Sequence, residues 1–203
     1  MSQATRKIAV FGGTFNPVHN GHIHLCLQCQ KQFHFDKILL IPTNIPPHKS
    51  AVDLASNEDR LEMLRLATKD NPLFSVSDIE YRLSGTSYTY HTIRQLKKEY
   101  QNDTFYLIVG SDMLRMFDKW YRYGDLLDEV TLIAGAREQN EYNELIELKR
   151  QNFSNSDKIQ IINIEIVELS STQIRKNVLE NQSIERLVHP NVLKYIESHQ
   201  LYI

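Results

Sequence analysis

The apolar run Ile8-Ala9-Val10-Phe11 empties directly into Gly12-Gly13-Thr14-Phe15-Asn16-Pro17-Val18-His19-Asn20-Gly21-His22, and this junction constrains the fold more than any other stretch. A short run of branched residues ended by paired glycines reads as a buried parallel strand opening into a loop. Gly12 and Gly13 allow close approach of a ligand to the backbone. Beyond Pro17, apolar positions at Ile23, Leu25, Leu27 and Phe33 among polar ones predict a helix starting near Asn20. Its free N–H groups would point into the loop and favour an anion there. His19 and His22, three residues apart, would project to the same side of the first turn, each offering an N–H donor or, when protonated, a positive charge. Such a pair can stabilise charge developing on a phosphoryl group. A single histidine in a loop is ordinarily a surface residue, but the whole string is much less expected by chance. It is neither the dinucleotide fingerprint, which needs three glycines in another spacing, nor the Walker sequence with its lysine after glycine.

Downstream, apolar runs alternate with amphipathic segments. This alternation predicts an α/β fold, a Rossmann-like doubly wound, mainly parallel sheet with helices on both faces. Further strands are expected over 37–42, 105–109, 130–134 and 159–164, with an extended segment over 74–79. Helices are expected over 57–69, capped by Ser56 or Asn57, and over 90–100. The polar segment 139–155 reads as a surface helix followed by a turn. With 203 residues and neither repeats nor low-complexity tracts, one domain over 1–203 is expected. A net charge of −2 argues against a generic nucleic-acid surface while leaving room for a local basic pocket. No apolar signal segment and no membrane-spanning run is evident, so a cytoplasmic enzyme is the expectation. Cys26 and Cys29 invite a redox or metal reading, but without a second cysteine pair buried thiols are the more economical one. His19, His22 and His24 keep a metal alternative open, and no carboxylate stands near them in sequence. Met63, Met113 and Met116 read as packing residues or loop contacts.

Four later segments accompany the first. They are Ile41-Pro42-Thr43-Asn44-Ile45-Pro46-Pro47-His48-Lys49, Ser87-Tyr88-Thr89, Gly110-Ser111-Asp112 with Trp120, and Ser170-Ser171-Thr172-Gln173-Ile174-Arg175. On the residues alone, the last of these opens an amphipathic helix whose hydroxyls can cap it, with capping and function equally supported. Lys49 alone reads as a solvated lysine, and a lone tryptophan as buried structure. Taken in order, however, the segments resemble the nucleotidyltransferase superfamily that carries a His-x-Gly-His or Thr/Ser-x-Gly-His signature after its first strand. Within it the resemblance is to bacterial nicotinate-nucleotide adenylyltransferases and runs along almost the whole chain.

That resemblance implies a reaction of ATP with nicotinate mononucleotide giving nicotinate adenine dinucleotide and pyrophosphate. The 5′-phosphate of the mononucleotide is then the nucleophile, so no serine or cysteine nucleophile is needed, and catalysis is positioning and charge stabilisation. Mg2+ is expected with the ATP phosphates rather than on a protein metal site. The catalytic set implied is His22 on the α-phosphate in the transition state, His19 binding and orienting phosphate, and Lys49 with Arg175 on the outgoing phosphates. Guanidinium suits bidentate phosphate contact. Gly12, Gly13, Thr14, Phe15, Gly110, Asp112, Ser171, Thr172 and Ile174 are implied in ATP binding, Asp112 at the ribose. Thr86, Tyr88, Trp120, Tyr121 and Arg137 are implied at the pyridine nucleotide, Trp120 offering its face to the ring. The chain departs from the family pattern at three places: Asn16 stands for a frequent aspartate, Glu138-Gln139 for Pro-Gly, and His91 for a common acidic residue. No nucleic acid or membrane partner is expected, and a homo-oligomer is left open. The alternatives are pantetheine-phosphate adenylyltransferase, a non-catalytic nucleotide-binding protein, and a redox or metal module built on Cys26 and Cys29.

Overall fold

The computed structural model describes residues 5–45, 54–83, 85–136, 138–153, 156–165 and 169–203. In chain order the elements begin β1 (Lys7–Gly13), α1 (Asn20–Phe33), β2 (Lys37–Pro42), α2 (Asn57–Thr68), β3 (Phe74–Val76), α3 (Ile79–Arg82) and α4 (Thr89–Glu99). They continue with β4 (Thr104–Gly110), α5 (Ser111–Arg115), α6 (Tyr123–Glu129), β5 (Thr131–Ala136), α7 (Gln139–Asn152), β6 (Ile159–Asn163), α8 (Ser171–Leu179) and α9 (Pro190–Ser198). The strands form one six-stranded sheet in the order β3-β2-β1-β4-β5-β6. The pairs β1/β4, β4/β5 and β5/β6 are parallel. This is the Rossmann-like α/β arrangement that the alternating pattern predicts. The strand order reverses at β1/β4, and in open α/β sheets ligands bind at the carboxyl ends of the strands where such a reversal occurs. Those ends are Gly13 on β1 and Gly110 on β4.

By packing, the chain divides into two compact units. The first comprises residues 1–12, 25–39 and 88–166. Its strands read as continuous apolar runs because both faces are covered: Phe105, Leu107, Ile108, Val109, Leu132, Ile133, Ala134 and Ile159 are all buried. Arg94 and Lys97 of α4 both pair with Glu129 at the end of α6. The polar helix α7 turns only Leu145 fully inward, which is why its sequence reads as a surface helix.

The second unit comprises residues 13–24, 40–87 and 167–203. Here α2 packs against α9. Met63 and Leu64 of α2 and Val192 and Ile196 of α9 are buried, and the Tyr195 hydroxyl donates to Asp59 Oδ1 at 2.9 Å. Ser56 caps α2 by accepting the Asp59 N–H at 3.0 Å, satisfying one of the donors a helix start leaves open. Among the described residues no helix is long and apolar enough to cross a membrane.

The extended segment expected over 74–79 is shorter than the sequence implies. β3 ends at Val76, and Ser77 and Asp78 begin a turn in which the Ile79 N–H donates to Ser77 Oγ and the Tyr81 N–H to the Asp78 carbonyl. The Ser77 hydroxyl there competes with the strand ladder and wins. The short helices α3, α5 and α6 fall below the length at which hydrophobic periodicity is legible. By contrast α9, with Pro190 at its first turn, carried a recognisable start signal.

Candidate active site

The loop after β1 is shaped by aromatic rings folding back on glycines. A Cβ at Gly13 would lie 3.2 Å from the Phe15 ring, so the glycine lets that ring settle against the backbone without a shift of a few tenths of an ångström. Phe15 itself is buried in the left-handed region at φ 49°, an uncommon conformation for a bulky residue. The Asn16–Pro17 peptide that follows is cis. The His22 ring stands edge-on to Phe15 at 5.0 Å.

His19 and His22 are brought together as their spacing predicts, with ring centroids 3.6 Å apart and planes 20° from parallel. The His19 backbone N–H donates to His22 Nδ1 at 3.2 Å. With Nδ1 accepting, the proton of a neutral His22 ring sits on Nε2, which is left as the donor. A Cβ on Gly21 would fall 3.1 Å from His19 Nδ1, so the glycine of the motif makes room for the His19 ring. His19 is only 7% exposed, and burial pushes its imidazole down to about 4. It is therefore neutral at physiological pH, which replaces the positive charge the sequence allowed with a dipole. Its Nδ1 is buried with no hydrogen-bond partner, an uncommon state for a buried polar atom. The start of α1 offers fewer open donors than expected: Asn20 N–H is taken by the Leu187 carbonyl and His22 N–H by the His19 carbonyl.

The start of α8 closes on the same loop. Ser170 caps the helix, accepting from Gln173 N–H at 3.1 Å, while Ser171 Oγ donates to the Pro17 carbonyl at 2.9 Å. Arg175 donates to the Asn16 carbonyl at 2.9 Å, and its other terminal nitrogen reaches Thr172 Oγ1 at 3.5 Å. Thr172 is exposed, whereas Ile174 is buried and its N–H is donated to the Ser170 carbonyl.

Behind the loop lies a cation that the sequence reading did not single out. Arg60 is 1% exposed and donates to the carbonyls of Thr14 at 2.9 Å, Thr43 at 2.7 Å and Ala55 at 3.3 Å, and to Asn57 Oδ1. Its guanidinium also lies over the Tyr81 ring. Asn57 in turn donates to Asn44 Oδ1, and Ser87 Oγ accepts the Asn44 and Ile45 N–H groups. Thr86, beside Ser87, is exposed.

The remaining described residues of the expected set stand in the first unit. Asp112 Oδ1 folds back over Gly110, where a Cβ would meet it at 2.5 Å. Tyr88 and Tyr121, both exposed, face one another at 4.7 Å, with His91 5.4 Å from Tyr121 and the Arg122 guanidinium 4.6 Å from the Tyr90 ring. Trp120 is half-buried and packs on Phe117 at 5.1 Å. Lys49 and Arg137 lie outside the described residues. Cys26 and Cys29 are free thiols buried in α1, and burial raises both, Cys29 to about 12. Thiols so buried and so hard to ionise are poor nucleophiles.

Comparison with known proteins assigns this arrangement to a family. Residues 10–177 match the profile of the Cytidylyltransferase-like family. A probable nicotinate-nucleotide adenylyltransferase of Caldicellulosiruptor saccharolyticus is 38% identical, the alignment covering 97% of this chain and 98% of that protein. The chain belongs to the nicotinate-nucleotide adenylyltransferase family. A probable member from Geobacillus thermodenitrificans is 37% identical over 97% of this chain and 86% of its own. The fold matches the solved nicotinic acid mononucleotide adenylyltransferase of Plasmodium falciparum complexed with NaAD, with a TM-score of 0.79 at 22% identity, covering 97% of each chain.

Two residues of this family member escaped the sequence reading, Arg60 and Tyr202, the latter donating its hydroxyl to Asn16 Oδ1 at 2.9 Å. The first left a signal: in α2 the buried stripe is Arg60, Met63, Leu64 and Thr68, so an arginine occupies an apolar-face position. Its partners are carbonyls of the loops after β1 and β2, which no local pattern announces.

Proposed function

We propose that the His19–His22 pair and Arg175 carry out the reaction of the family, in which the adenylyl group of ATP passes to nicotinate mononucleotide and pyrophosphate leaves. The mononucleotide's 5′-phosphate oxygen attacks the α-phosphorus of ATP in line as the bond to the pyrophosphate oxygen breaks. No covalent enzyme intermediate is involved. The chain acts by holding both phosphates and by placing donors where charge develops.

The observation that carries this reading is the stacked imidazole pair with His22 Nε2 set as a donor and His19 Nδ1 buried without a partner. Buried polar atoms ordinarily have partners, so the orphaned His19 Nδ1 beside the stacked His22 ring supports a place prepared for a polar ligand. His22 Nε2–H contacts the α-phosphate in the transition state, and neutral His19 orients phosphate as a dipole. Arg175, anchored through one nitrogen to the Asn16 carbonyl, offers its remaining donors to the outgoing phosphates together with Lys49. In the second unit Gly13 at the end of β1, Thr14, Ser171 and Thr172 are assigned to ATP; in the first, Gly12 and Asp112 are assigned to ATP, Asp112 at the ribose, and the Tyr88–Tyr121 pair with Trp120 to the pyridine ring. Among the described residues no group of three His, Cys, Asp or Glu side chains is arranged to hold a metal ion. Magnesium, expected with the ATP phosphates, would supply charge shielding for the departing pyrophosphate, and the reading is of a cytoplasmic enzyme.

The test is pyrophosphate release from ATP with nicotinate mononucleotide, nicotinamide mononucleotide or phosphopantetheine. Turnover with the first is expected, and its absence overturns the reading. Release with phosphopantetheine alone would assign pantetheine-phosphate adenylyl transfer instead. His22→Ala should lower kcat by about a hundredfold or more at unchanged stability, the scale of losing one transition-state donor. Wild-type kcat in that variant refutes the role.

A further inference from the structure

Asn16 sits at the centre of the second unit's loop, 3% exposed, and three groups converge on it. Its side-chain oxygen accepts the Ala55 N–H at 3.0 Å and the Tyr202 hydroxyl at 2.9 Å. Its backbone carbonyl accepts Arg175 at 2.9 Å. One planar residue thus joins a phenol from the segment after α9 to the guanidinium at α8. We propose that Tyr202 is a positioning residue for ATP, holding Asn16 so that its carbonyl anchors the Arg175 guanidinium toward the triphosphate.

Several features single Tyr202 out from an ordinary terminal tyrosine. Its backbone lies in the left-handed region at φ 67°, and Gln200, two residues earlier, is also left-handed at φ 51°. Such conformations persist in residues other than glycine where surrounding contacts over-determine them, and the bond to Asn16 is such a contact. Burial raises the phenol's ionisation above its ordinary range, while nearby Arg175 and Arg60 pull the other way. The hydroxyl therefore stays protonated and remains a donor. The two cations acting on it are the one that faces phosphate in our reading and the one that holds the Thr14 carbonyl. The loop is thus gripped from both sides, by Arg60 at Thr14 and by Tyr202 at Asn16.

This inference rests on Arg175 as a phosphate grip, and the experiment separates the two. ATP affinity is measured by titration calorimetry for the wild type, Tyr202→Phe, Arg175→Ala and the double variant, alongside melting temperatures and affinity for nicotinate mononucleotide. Losing one neutral hydrogen bond predicts about fivefold weaker ATP binding in Tyr202→Phe, with mononucleotide affinity unchanged. Arg175→Ala should weaken ATP more, and the double variant should bind as Arg175→Ala does, because Tyr202 acts through that residue. Wild-type ATP affinity in Tyr202→Phe overturns the proposal. So do losses that multiply in the double variant, and so does a lowered melting temperature with unchanged ATP affinity, which marks a structural role only. Wild-type affinity in Arg175→Ala sinks both the grip and this inference. Intact ATP effects without turnover on nicotinate mononucleotide sink only the reaction proposed above.

Discussion

Acidification should destabilise this protein through His19 by an amount its burial sets. The imidazole lies at about 4 in the folded chain against an ordinary value of 6.5. Between these values the unfolded chain binds a proton that the native chain does not, so stability falls as pH drops. The contribution is complete above pH 6.5 and is lost progressively toward pH 4. Its full size is about 3 kcal/mol, and about 2 kcal/mol is gone by pH 5. Other groups lose stability in acid as well. Asp103, held below its usual range by Arg6, and Glu129, held by Lys97 and Arg94, both do so. The control is therefore His19→Gln, which keeps those carboxylates and removes only the titration. Urea unfolding of both proteins at intervals from pH 8 to pH 5 gives the difference in stability at each pH. The wild-type midpoint should fall relative to the variant by about 1 M urea, given a slope of about 2 kcal/mol per molar. A difference that stays constant over this range refutes the claim that His19 is held neutral by burial.

Gly21→Ala would place a methyl 3.1 Å from His19 Nδ1, so the ring must shift by a few tenths of an ångström. Turnover should fall about tenfold or more with stability within about 1 kcal/mol, and unchanged kcat in a steady-state assay would count against the His19 placement. Arg60→Met strips hydrogen bonds from the Thr14, Thr43 and Ala55 carbonyls in a buried site, and a loss of about 3 kcal/mol or more is expected in denaturant unfolding. A loss under about 1 kcal/mol would show that solvent or neighbours replace those bonds. Cys26 and Cys29 should resist a thiol reagent at pH 8 until urea unfolds the chain, since both are buried and hard to ionise. Rapid native-state labelling would reopen a role for the pair.

Much of the fold is legible in the chain because its signals are local. β2 is a continuous apolar run, α2 has a serine cap ahead of a periodic stripe, and both appear within a residue or two of their expected bounds. The failures are local as well. At Ser77 a small polar side chain turns to the backbone and ends the strand that apolar content alone would extend, and five-residue and seven-residue helices such as α5 and α6 carry too few turns for a period. The His19–His22 pairing follows from the three-residue spacing, which any helical turn converts into proximity. The charge state of His19 does not follow from spacing, because it depends on how completely the ring is buried.

The strand-loop-helix junction, the alternating α/β pattern and the ordered motifs that mark the family are readable along the chain, since each depends on residues near one another in it. What those residues do together emerges on folding. Folding makes His19 a buried dipole, anchors Arg175 on Asn16 and brings Tyr202 to the same residue from 186 positions away. The physical reason is that burial and hydrogen bonding between distant segments arise from packing. Spacing along the chain carries no record of which buried groups will meet.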